Sequence, residues 1–152
     1  MYRGQGRGCS RCGSCSCAWG DRIVIIGAGP IGLAVGAVLR SRGIPYDMVA
    51  RYDHQKEAGE KLGAGSLEGL YDRVFDCVGT KETLNLSVRT AKPGSWVVLL
   101  GIPMEGIVLP GLKTIMNEIK LFPSIMYGAS SGIKDFEQAA KLLALNPDIG
   151  NT

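Results

Sequence analysis

The chain has 152 residues, 45% of them apolar, and a formal net charge of +3. That is the size of one domain with enough apolar mass for a core. Arg3, Arg7 and Arg11 carry the charge excess, and the other basic residues balance the acids, so the body beyond residue 20 is neutral. A neutral body excludes a nucleic-acid surface as the main function. No apolar run approaches the ~18 residues of a membrane span. The N-terminal arginines precede no apolar stretch, so no secretory signal is expected and the expected compartment is the cytoplasm.

Residues 1–20 form a Gly/Arg/Cys-rich tail with little to bury, predicted to lack order without metal. Four of the five cysteines, Cys9, Cys12, Cys15 and Cys17, fall within it, which rules out a disulfide framework spread through a fold. From Asp21 a single domain is predicted to run to residue 152. Arg22 to Ile26 is a β-branched run, as in a strand buried on both faces. Gly27-Ala28-Gly29-Pro30-Ile31-Gly32 follows directly, and then Ile31, Val35, Val38 and Leu39 keep helical spacing to Arg42, with Gly43 as the stop. Tyr46 to Ala50 reads as a second strand, Gln55 to Leu62 as a helix ended by Gly63, and Val74 to Val78 as a third strand containing Cys77. A helix over Lys81 to Ala91 follows, with Thr80 as N-cap and Leu84, Val88 and Ala91 on one face. Lys92-Pro93-Gly94 predicts a turn and Trp96 to Leu100 a strand. Leu112 to Glu118 reads as a short helix, Lys120 to Ile125 as a strand, and Ile133 to Leu145 as an amphipathic helix through Phe136, Ala140 and Leu143. Strands alternating with helices predict a doubly wound α/β domain on a parallel sheet.

The glycine pattern gains its meaning from the strand before it and the helix after it. Gly27 lets the chain turn out of the strand, Gly29 lets backbone approach a pyrophosphate, and Gly32 lets helix and sheet pack closely. Pro30 gives up an N–H that has no partner within the helix. The remaining N–H groups and the helix dipole favour an anion at that end, so Gly27, Gly29, Pro30, Ile31 and Gly32 are expected to hold a dinucleotide. An enzyme choosing NAD places an acid after the second strand for the ribose 2′-OH. Here Ala50 and Arg51 follow instead, which suits the 2′-phosphate of NADP, although Asp53 reaches a ribose if the register shifts. His54 reads as a solvated loop residue.

The stretches "GDRIVIIGAGPIGLA", "EAGEKLGA", "YDRVFDCVGT", "TLNLSVRTAKPGSWVVLLGIP" and "SIMYG" resemble, in order, the coenzyme domain of medium-chain zinc-dependent alcohol dehydrogenases. The resemblance implies a Rossmann fold that binds NAD(P)(H) for hydride transfer to or from an alcohol or aldehyde. It also implies that backbone around Val78–Gly79, Leu100–Ile102 and Ser124–Met126 lines the nicotinamide. In such enzymes the catalytic zinc ligands lie mainly in a separate domain, so no catalytic residue is expected here and the chain alone is expected to be inactive. The family has a further strand and crossover helix where only seven residues separate Ala64 from Tyr71. Their loss predicts a smaller sheet with the Met48 strand at its edge, and an adenine pocket short of one wall. Relatives pair through a sheet edge, which here falls near Leu121 and implies a homodimer.

Cys9, Cys12 and Cys15 resemble the first three ligands of the family's structural zinc lobe, with Cys17 the one candidate for the fourth. Specific zinc, loose metal binding and an extension without a metal role all remain open. Two other functions compete with a nicotinamide coenzyme domain: an FAD-binding domain, and a catalytically dead interaction module on the same fold. The Leu62-Gly63-Ala64 helix end and the Lys92-Pro93-Gly94 turn favour the dehydrogenase.

Overall fold

The computed structural model describes residues 20–104, 106–124, 129–130 and 133–145. The four tail cysteines, Ile125 and Met126 lie outside the described residues.

Strand β1 (Ile23–Ile26) is the centre of the fold, and all four of its side chains are buried. Alternation divides them. Val24 and Ile26 pack with Tyr71, Val74, Val88, Ala91, Val97 and Ile119 on one face, and Ile23 and Ile25 with Leu39 and Tyr46 on the other. Burying an aliphatic side chain of this size is worth about 2 kcal/mol, so a polar substitution at any of the four opposes the layer which that side chain faces. Helix α1 (Pro30–Ser41) begins with its proline in the first turn and ends before Gly43, whose φ is +66°. Its buried positions are Gly32, Gly36, Ala37 and Leu39. Ile31, in the first turn of the helix, is 47% exposed.

The remaining elements follow in order: β2 (Asp47–Val49), α2 (Asp53–Lys61), β3 (Tyr71–Asp76), α3 (Lys81–Thr90), β4 (Ala91–Leu99), α4 (Gly111–Met116), β5 (Lys120–Pro123), β6 (Ala129–Ser130), β7 (Ile133–Lys134) and α5 (Asp135–Leu145). The main sheet is all parallel in the order β2-β1-β3-β4-β5, the doubly wound arrangement that the alternating pattern predicts. The sheet passes directly from β1 to β3, and β2 is its edge, as the short connection after Ala64 requires.

That connection is a sealed seam. Gly65 forms a single parallel bridge with Asp47, its N–H donating to the Tyr46 carbonyl and its carbonyl accepting from the Met48 N–H. The Tyr71 hydroxyl donates to the Asp47 carboxylate at 2.7 Å and accepts from the Glu68 N–H at 2.7 Å. Arg22 lies over the Tyr71 ring and donates to the Glu68 carbonyl. A strand and a helix are thus replaced by one residue of sheet pairing and a small polar network.

Several boundaries depart from the sequence reading; the closing helix starts at Asp135 rather than Ile133, because Ile133–Lys134 pairs as β7. β3 starts at Tyr71 and ends at Asp76, so Cys77 sits just past the strand rather than within it. Its polar start is tolerated because Asp72 meets Lys92 at 2.7 Å and Arg73 meets Asp21 at 3.2 Å. β4 starts at Ala91 and runs through the expected turn. Gly94 does take φ +72°, and the register against β3 shifts between Tyr71 and Arg73, so turn and strand coincide as a bulge. α2 begins at Asp53, which brings His54 into a helix. The β6–β7 antiparallel pair was not expected from the sequence.

Candidate functional site

The C-terminal ends of β1, β2 and β3 open into a cleft of about 770 Å³. Its floor is Ile26 to Gly29. One wall comes from Val49, Ala50, Arg51, Tyr52 and Gln55, and the other from Cys77, Val78, Thr80, Glu82, Thr83 and Leu86. Two walls therefore stand without help from residues 64–70, which do not line this cleft.

Each glycine of the turn has a measurable reason to be there. Gly27 has φ +100°, and a Cβ on it would collide with Val78. A Cβ on Gly32 would land on the Gly27 carbonyl oxygen, so α1 can start this close to the strand only with glycine at both positions. Gly29 differs, because a Cβ there would meet no protein atom within 4 Å. The fold does not require glycine at 29; the space above it, where α1 presents its N-terminus, is what glycine keeps open. Pro30 begins α1, and Leu33 donates to the Gly29 carbonyl at 2.9 Å, so the N–H of Ile31 belongs to the first helical turn and has no partner four residues back.

The residues expected around a nicotinamide are brought together at the adjacent strand ends. Val78 lines the cleft, while Gly79 lies against Gly101, where a Cβ on either would strike the other's backbone region. The Leu100 and Gly101 N–H groups both donate to the Asp76 carbonyl, and Ser124 N–H donates to the Leu99 carbonyl. Ile102 follows, 58% exposed. Met126 is outside the described residues.

Asp76 is the residue that sequence reasoning missed. Fully buried at the end of β3, its carboxylate accepts from the Val78 and Gly79 N–H groups at 3.0 and 2.9 Å and from the Ser87 hydroxyl at 3.3 Å. It fixes the loop that carries Val78 and Gly79. The available signal was a lone acid closing an apolar strand immediately before Cys-Val-Gly. Next to it, burial and then the Asp76 charge push the Cys77 thiol up to about 12. Cys77 lines the cleft as a neutral, unreactive group. Thr80 caps α3 as expected, in a reciprocal arrangement with Thr83.

On the opposite wall, Ala50 leaves the end of β2 without a carboxylate, and Arg51 and Tyr52 line the cleft. The Arg51 guanidinium lies 5.5 Å from the Tyr52 ring centroid, and the His54 ring stacks on Tyr52 at 5.7 Å, nearly parallel. His54 is therefore not a bare solvated residue. Asp53 opens α2 and is not among the lining residues. Glu82, on the other wall, is held below its usual carboxylate range by its own N–H and the Thr80 side chain. Among the described residues no cluster of three or more His, Cys, Asp or Glu side chains is placed to hold a metal. No helix among them is long and apolar enough to cross a membrane.

Comparison with known proteins agrees with this architecture. Glucose 1-dehydrogenase of Thermoproteus tenax is 29% identical over 127 residues, covering 76% of this chain and 37% of that protein. D-xylulose reductase of Scheffersomyces stipitis is 27% identical over 149 residues, covering 86% and 40%. The chain spans about two fifths of the length of the curated relatives it matches. Among solved structures, L-idonate 5-dehydrogenase of Escherichia coli superposes with a TM-score of 0.72 at 22% identity, covering 83% of this chain and 39% of that one. A candidate zinc-binding dehydrogenase of Sinorhizobium meliloti, bound to NADP, gives 0.69 at 25% identity, with 83% and 42% covered. The family model for zinc-binding dehydrogenases matches residues 66–144, just over half of the chain. The chain belongs to the zinc-binding dehydrogenase family, and its fold is that of the family's coenzyme domain.

Proposed function

We propose that the chain binds a nicotinamide dinucleotide, NADP in preference to NAD, as the coenzyme part of an alcohol dehydrogenase-like oxidoreductase acting on an alcohol or aldehyde. The observation that carries this reading is the turn at Gly27–Gly32. Two of its glycines are required by the fold, and the third keeps clear the space in front of a helix N-terminus. That is the cradle a pyrophosphate needs: free N–H groups, a favourable dipole and room for close backbone approach.

In this reading Gly29, Ile31 and the first turn of α1 bind the pyrophosphate, and the 770 Å³ cleft takes the adenosine. The backbone around Val78–Gly79 and Leu100–Ile102, held by Asp76, orients the nicotinamide. A nicotinamide there supplies hydride acceptance and return. The preference for NADP is supported by Ala50, which removes a repelling carboxylate, and by Arg51, which brings a guanidinium to the cleft wall. The Sinorhizobium structure bound to NADP supports a nicotinamide dinucleotide in general. Among the described residues no cluster of side chains offers zinc a coordination site.

The test is fluorescence titration of NADPH into the wild-type chain and Gly29→Ala. The methyl group meets no protein atom, so melting temperature should stay within about 2 °C while affinity falls by about tenfold or more. Equal affinity in the two proteins would remove the turn from the site.

A second reading concerns assembly. β5 is the outer strand of the sheet, and Leu112, Ile115 and Met116 of neighbouring α4 are 74–80% exposed. An open edge beside exposed apolar side chains supports pairing of two copies near Leu121. Sedimentation at micromolar concentration should show a dimer; a monomer throughout would reject the edge as an interface.

A further inference from the structure

The NADP reading leaves a physical difficulty. Arg51 is an exposed side chain on a connecting segment, and a free arginine loses much rotamer freedom when it grips a phosphate. Two carboxylates add to the problem, because Asp53 is next but one to Arg51 and Glu82 lines the facing wall. Both repel a dianion, so a loosely held guanidinium would give little selectivity.

The structure contains a device that answers this. Tyr52 is half exposed at the cleft, its ring takes the Arg51 guanidinium at 5.5 Å, and the same ring is stacked by His54 at 5.7 Å with an interplanar angle of 8°. The His54 backbone lies in the first turn of α2. We propose that Tyr52 is a positioning residue for Arg51: its ring, secured by His54, holds the guanidinium ready for the ribose 2′-phosphate and so sets the preference for NADP over NAD. A guanidinium lying on an aromatic ring keeps its N–H donors in its own plane, free to grip phosphate oxygens. This inference rests on the coenzyme reading above and adds to it the source of selectivity.

The experiment titrates NADPH and NADH separately into the wild-type chain, Tyr52→Phe, Tyr52→Ala, Arg51→Ala and the Arg51/Tyr52 double alanine variant. Tyr52 also lines the cleft that both coenzymes share, so an exposed cation–π contact predicts that Tyr52→Ala weakens NADPH by roughly threefold more than it weakens NADH. Tyr52→Phe, which keeps the ring, should bind as wild type. Arg51→Ala should lose more NADPH affinity than Tyr52→Ala, and the double variant should lose no more of the NADPH preference than Arg51→Ala alone, since the ring sets that preference only through the guanidinium. Equal losses for both coenzymes in Tyr52→Ala would overturn the proposal, as would no loss, failure of Tyr52→Phe, or additive losses of that preference in the double variant. If the wild-type chain binds neither coenzyme, the coenzyme reading itself falls, and this inference with it. If it binds both equally and Arg51→Ala changes neither, coenzyme binding stands and the selectivity proposal fails.

Discussion

Asp76 accepts two backbone N–H groups from the loop that would face the nicotinamide. Removing it leaves the buried Gly79 N–H and the half-exposed Val78 N–H without their acceptor, and a bond to a charged acceptor is worth about 1.5–3 kcal/mol. Asp76→Ala should therefore destabilise the chain by about 3 kcal/mol in denaturant unfolding. It should also weaken coenzyme binding in whatever fraction folds. A stability change below the scatter of the measurement would mean the loop is held by the Gly79–Gly101 backbone contact alone. Asp76 was hard to read from sequence because a lone acid after an apolar strand is equally an exposed loop residue. Only the fold brings the Ser87 hydroxyl to it, although the Val78 and Gly79 N–H groups are two and three residues on. The glycine turn was legible because a strand precedes it and a helix follows it directly in the chain, and Gly32 packs on Gly27 within the same turn.

At the scale of elements, the same contrast recurs. β1, α1 and α3 follow from local pattern: a β-branched run, a proline at a first turn, a threonine cap with Leu84 and Val88 one turn apart. β3 began earlier than expected because Tyr71, Asp72 and Arg73 look like loop until their distant partners Asp47, Lys92 and Asp21 are in place. The bulge in β4 combines a turn signal and a strand, which a reading of one state per residue separates. The Tyr52–His54 stack was invisible for a related cause, since a helix start two residues earlier than expected carries His54 to the tyrosine. The seam after Ala64 makes its own prediction. The Tyr71 hydroxyl joins Asp47 to Glu68, and burial is the chief reason its pKa is raised. Tyr71→Phe keeps the ring but leaves the Glu68 N–H without its acceptor. It should lower stability by about 1–2 kcal/mol in chemical denaturation, without changing coenzyme affinity. A large loss of affinity would show that the seam and the cleft are coupled.

For the whole molecule, stability should fall in acid partly through Asp72. Burial opposes its charge, but Lys92 at 2.7 Å, the Arg22 N–H and Arg73 outweigh this and lower its pKa below the ordinary 3.8. A carboxylate with a lowered folded value gives stability that is complete above its ordinary value and is lost as pH falls through the lowered one. Wild type and Asp72→Asn should thus differ in stability at neutral pH and converge once the pH has fallen through the lowered Asp72 value. A constant difference across that range would assign the effect to packing rather than charge.

The claim that binds these scales together is that the cleft over the glycine turn takes a nicotinamide dinucleotide and prefers NADP. Calorimetric titration of the chain with NADPH and NADH in parallel addresses it most directly. Saturable one-to-one binding, tighter for NADPH, is the predicted result. Heat of dilution alone with both coenzymes would contradict the account and leave an interaction module on this fold as the better reading.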